Sequence, residues 1–148
     1  MTPAGVQALE RVLAAQHAVV YGYGVAGARL RGRGRNRARS RWNHHRAKRD
    51  ELSALLTGLG GQPVQAAATY VLPGPVETPA DARALVTQLE EGLTAAWADA
   101  VLALPGDRRG LAVDGMRESA VAAALWRGGS VAFPGLAERS SDHSEQVT

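Results

Sequence analysis

Five polar side chains interrupt otherwise apolar helical stripes: Gln16, His45, Arg49, Glu90 and Glu118. Two carboxylates, an imidazole and an amide are donors to a divalent cation, and an arginine among them is a counter-ion that competes with one. Gln16 lies midway along a stripe of Val6, Leu9, Leu13, Val20, Tyr23, Gly27 and Leu30, whose steps of three and four are those of one helix face. A buried amide without partners costs about 1–3 kcal/mol, so Gln16 must meet polar groups on other elements. His45 and Arg49 lie in a second stripe with Trp42, Leu52, Leu56 and Leu59. Glu90 lies in a third with Val86, Leu89, Leu93, Ala96, Trp97, Ala100, Val101 and Leu104, and Glu118 in a fourth with Leu111, Val121, Ala122 and Leu125.

Four helices are needed to position these groups. The first is expected over Pro3–Leu30, with Pro3 in the first turn, where no N–H is required. Arg31 to Arg41 carries arginine at every odd position, with Gly32, Gly34 and Asn36 between, and reads as a mobile basic loop, 31–41, before helix two. Helix two then runs to about Gly58. The stretch 59–79 contains Pro63, Pro73, Pro75 and Pro79, cannot be one helix, and is long enough to cross from one end of a bundle to the other. Helix three is expected from a Thr78 cap and Pro79 to Leu104, and helix four from Asp107 to Trp126. Val131–Leu136 reads as an apolar strap over the bundle, and 137–148 as a disordered tail. The expectation is all-α: one ferritin-like antiparallel four-helix bundle over 1–136, with a long crossover between helices two and three. Gln16 and Tyr23 are spaced as Glu90 and Trp97 are, a faint sign that the two helix pairs repeat.

Composition agrees with this frame. The 148 residues suffice for one core, and 45% apolar with only 5% aromatic content means a core of Leu, Val and Ala. The absence of cysteine excludes disulfides, thiolate metal sites and a cysteine nucleophile. No targeting signal or membrane-length apolar run is present, which points to a cytoplasmic chain without a membrane partner. The net charge of +3 is uneven: eleven basic and three acidic residues precede Gly61, and six basic and eleven acidic residues follow Gly60.

Several pieces of the chain resemble the actinobacterial ferritin-like domain proteins of unknown function. They are Gln16-His17-Ala18 with Tyr21-Gly22-Tyr23-Gly24, His45-Arg46 with Arg49-Asp50, Tyr70-Val71-Leu72-Pro73, Leu89-Glu90, Trp126-Arg127 and Phe133-Pro134-Gly135-Leu136. The resemblance implies the fold and carries no activity. It also marks a departure, since Glu is common in that family where Gln16 stands here.

A di-metal carboxylate bundle uses one Glu from each of two helices and Glu-x-x-His from each of the others. Helix two has no such motif, and Val121 stands three residues after Glu118. The preferred reading is a non-catalytic bundle whose di-metal centre has given way to an ion-pair network of Gln16, His45, Arg49, Glu90 and Glu118. No cofactor is then expected. The alternative is residual iron or manganese binding or oxidase chemistry through His17, His45, Glu90 and Glu118. A second alternative is nucleic-acid binding through Arg31, Arg33, Arg35, Arg37, Arg39 and Arg41, with Trp42 stacking on a base. Ala-rich bundles often bury a further face, so a homodimer is expected.

Overall fold

The computed structural model describes residues 1–129, which contain four helices and no strand: α1 (Pro3–Gly27), α2 (Gly32–Gly58), α3 (Pro79–Ala103) and α4 (Gly106–Arg127). The strap Val131–Leu136 and the tail 137–148 lie outside the described residues. None of the described helices is long and apolar enough to cross a membrane.

Local chemistry explains where the helices begin and end. The Thr2 hydroxyl accepts from Gly5 N at 3.1 Å, and Pro3 follows it. At α3, Thr78 and Asp81 form a reciprocal capping box: Asp81 N donates to the Thr78 hydroxyl at 3.1 Å, and Thr78 N donates to the Asp81 carboxylate at 2.9 Å. Those bonds, the Thr78 backbone one first, hold the Asp81 carboxyl below its usual value. At the end of α4, Gly128 takes the left-handed conformation, φ +82°, and its N–H donates to Ala124 O.

The segment 31–41 differs from the expected loop. It is the first part of α2 from Gly32 onward, and Arg35 N donates to Arg31 O at 3.2 Å. Arginine is a good helix former, but arginines four apart, such as Arg33 and Arg37, share a face and repel, so the helix is held here by its tertiary contacts, among them Arg41 on Glu90. Ala38 is buried on the inward side.

Helix α1 packs against α2 and α3, and α3 packs against α4. The α1–α3 seam is close because Gly22 faces Leu89, where a Cβ would overlap the leucine side chain. Gly115 likewise lets α4 lie against the Trp97 indole. The connection between α2 and α3 passes alongside α1: Val64 O lies 2.9 Å from His17 Nε2, Tyr70 packs 5.4 Å from Tyr21, and Val76 O accepts from Arg29 Nε at 3.0 Å.

The Cα atoms of α2 and α4 nowhere come within 8 Å, so among the described residues a gap separates the two helix backbones. This changes the expected face of α4. Ala112, Ser119, Ala122, Ala123 and Trp126 are buried, whereas Val121 and Leu125 are 53% and 60% exposed. Helix α4 packs its backbone chiefly on α3 and reaches α1 and α2 only through the side chains of Trp126 and Glu118, which leaves Val121 and Leu125 facing the gap.

Candidate polar centre

Glu90 is the hub. Its side chain has no solvent exposure, and α3 holds it between Leu93 and Val86 on the buried face. Four donor atoms converge on its Oε1: the Tyr23 hydroxyl at 2.6 Å, His45 Nε2 at 2.9 Å, Arg41 Nη2 at 3.1 Å and Arg41 Nε at 3.3 Å. The contacts extend outward. Trp126 Nε1 donates to the Tyr23 hydroxyl at 2.8 Å, and His45 Nδ1 donates to Gln16 Oε1 at 2.8 Å. His45 Nε2 thus lies between the Glu90 carboxylate and the Arg41 guanidinium, whose Nη2 is 3.1 Å away. The Tyr23 ring stacks on His45 with centroids 5.4 Å apart. Glu90 Oε2 is buried and has no hydrogen-bond partner among the described residues.

The electrostatics follow from these contacts. Burial alone would raise the Glu90 pKa, but the hydrogen bond and charge of His45, the Arg41 guanidinium and the Tyr23 hydroxyl outweigh it and hold the carboxyl below its ordinary value. Tyr23 is pushed far above the usual tyrosine range, by burial first and then by the Glu90 carboxylate. His44, at the edge of the centre, is held below its ordinary value by burial and by the charges of Arg41 and His45.

Of the five polar residues singled out in the sequence, Gln16, His45 and Glu90 meet. Arg49 and Glu118 do not. Arg49 pairs with Asp50 at 2.7 Å on the surface. Glu118 is 44% exposed at its side chain and accepts from His44 Nε2 at 3.1 Å. The guanidinium at the centre belongs to Arg41, one helical turn before His45. Arg41 becomes legible only if helix two is started a turn earlier, which would have put it on the inward stripe. His17 is buried but turned away, toward Val64 O.

Of the candidate metal ligands, His45 and Glu90 meet while His17 and Glu118 lie elsewhere, and no metal-ligating cluster of three is found among the described residues. One carboxylate, one imidazole and one amide, with a guanidinium 3.1 Å from the carboxylate, do not fit a pair of hard divalent cations. What the arrangement does well is share the one buried negative charge of Glu90 on α3 among donors from α1 and α2, with α4 joined through Trp126.

Comparison with known families matches residues 8–138 to the domain of unknown function DUF4439. The chain belongs to this family. Among solved structures, this DUF4439 chain is similar to a conserved hypothetical protein, Rv2844, from Mycobacterium tuberculosis. Identity is 33% and the TM-score 0.83, covering 86% of this chain and 98% of that one. No functionally curated protein matches it.

Proposed function

We propose that this DUF4439 chain is a non-catalytic ferritin-like bundle in which an ion-pair and hydrogen-bond network stands where related bundles would hold two metal ions. The observation that carries this reading is the Arg41 guanidinium on Glu90 Oε1, the oxygen that also takes the Tyr23 hydroxyl and His45 Nε2. A guanidinium there supplies the positive charge that a metal would supply, and it does so with directional bonds. The passage of the α2–α3 connection alongside α1 supports the ferritin-like arrangement. The protein would then act through its surfaces. The test is elemental analysis of protein expressed with added iron and manganese and purified without chelator. Substoichiometric metal in a fully folded protein is expected. Stoichiometric iron or manganese, lost on Glu90→Gln, would overturn the reading.

A second reading, binding to nucleic acid, has one specific observation behind it: Arg31, Arg33, Arg35 and Arg39 are all exposed at the start of α2. It predicts co-purifying nucleic acid whose affinity falls steeply with salt.

A further inference from the structure

Among the described residues, the backbone of α2 packs against α1 alone, which leaves most of the circumference of α2 in solvent. Ala38, His45, Leu52 and Leu56 mark its buried side. At about 3.6 residues per turn, Gly32, Asn36, Ser40, Asn43 and Ala47 fall within about 45° of the opposite direction, and all five are exposed. They form an outer ridge of small, uncharged residues about 22 Å long. Arginines flank this ridge on both sides. Arg35, Arg39 and Arg46 lie about 65–105° from it in one sense, and Arg33 and Arg37 about 55–95° in the other; all are exposed.

The charge excess on this face remains after every ion pair is taken out. Arg41, Lys48 and Arg49 are held by Glu90, Glu51 and Asp50. The five flanking arginines have no carboxylate partner among the described residues, and the sequence has no acid between Glu10 and Asp50. Arg35 and Arg39, like Arg33 and Arg37, stand one helical turn apart and repel each other, a cost that a polyanion would relieve. Two of the five rest on aromatic rings: Arg37 lies 5.3 Å from the Trp126 centroid and Arg46 4.4 Å from that of Trp42.

We propose that the outward face of α2 lies in the major groove of double-stranded DNA, the ridge toward the base edges and the two arginine rows on the phosphates of the two strands. The inference rests on the nucleic-acid reading above and narrows it. A helix about 10–12 Å across only just enters a groove about 12 Å wide, so small residues are needed on its leading edge. The deep, narrow major groove of duplex RNA would not admit it. A single strand would need a free aromatic face for its bases, and the Trp42 ring is packed against the core with Arg46 over it. A lipid surface would need apolar anchors, and no large apolar side chain of α2 is among the exposed ones.

The test is fluorescence anisotropy of the full chain with a labelled DNA duplex of about 20 base pairs, from about 50 to about 200 mM salt. Saturable binding is expected that weakens on the order of 500-fold across that range, as five phosphate contacts require. Arg35→Gln, Arg39→Gln and Arg33→Gln, each shown to fold by circular dichroism, should weaken binding and lower the salt slope by about one. Arg83→Gln, the same change at an exposed position of α3, should alter neither. Methyl green, which occupies the major groove, should displace the protein, and netropsin, which occupies the minor groove, should not. Displacement by netropsin instead, tighter binding of the single strand or of an RNA duplex, or an unchanged salt slope in the α2 variants would overturn this inference and leave nucleic-acid binding standing. No binding to any of these nucleic acids would remove both, and binding only to vesicles rich in phosphatidylserine would make an anionic membrane the occupant.

Discussion

Replacing Glu90 with Gln removes the one negative charge on which the centre depends while keeping side-chain size and an acceptor oxygen. The Tyr23 hydroxyl keeps a partner. Arg41 and His45, whose nitrogens lie 3.1 Å apart, lose the anion that lets them share the site. Removing one partner of a buried ion pair costs about 3–5 kcal/mol. Part of that is relieved here, because Arg41 is 20% exposed and water can take up some of its charge. A loss of about 2–3 kcal/mol is therefore expected at neutral pH, or roughly 6–9 °C in Tm for a chain of this size. The assay is urea unfolding followed by far-ultraviolet circular dichroism, repeated through the acid range. Since Glu90 is held below its unfolded value near 4.5, its stabilisation is present above that pH and disappears as pH falls through the lower folded value. The gap between native protein and Glu90→Gln should thus narrow steadily in acid. A control, Arg49→Leu, removes a surface pair with Asp50 and should cost less than about 1 kcal/mol. A Glu90→Gln loss below about 1 kcal/mol, or a gap that does not change with pH, would refute the reasoning.

Tyr23→Phe should cost about 1–3 kcal/mol, because Trp126 Nε1 loses its acceptor and Glu90 a donor; a denaturant midpoint unmoved from the native one would show the hydroxyl to be incidental. At high pH the unfolded chain ionises its tyrosines near 10 while folded Tyr23 resists, so stability should fall as pH rises past 10; tyrosinate absorbance reporting all three tyrosines ionised in an intact fold would contradict this. Gly115→Ala should destabilise by about 1–3 kcal/mol, since its Cβ would strike the Trp97 indole, whereas Gly24→Ala meets nothing within 4 Å and should stabilise by about 0.5–1 kcal/mol; thermal melts of the two variants should move in opposite directions. Gln16→Glu should bring manganese affinity, measured by calorimetry, only when combined with Arg41→Leu, because the guanidinium otherwise occupies the positive place beside Glu90.

Much of this architecture is a matter of local order along the chain. The four periods of three and four, the Thr78-Pro79 start, the Pro105 break and the Gly128 stop each depend on a few adjacent residues, and they place α1, α3 and α4 within a few positions of where they lie, whereas α2 begins at Gly32, well before the expected end of the basic loop. Gln16, His45 and Glu90 were legible for the same reason: each is a polar residue at an inward position of its own helix, and a buried polar group must find a partner. The identity of the guanidinium was not. Arg41 stands four residues before His45 and Arg49 four after, so the helical period sets both beside it, and nothing local distinguishes them. The height at which α3 presents Glu90 decides in favour of Arg41, a tertiary quantity. The fate of Glu118 is of the same kind. Its helix turns to bury Trp126 and Ala122, and Glu118 is left half-exposed in the gap between α2 and α4, where it meets His44 rather than Glu90. Helical periodicity determines which residues share a face, but the level and rotation at which faces meet are set by packing between helices distant in the chain.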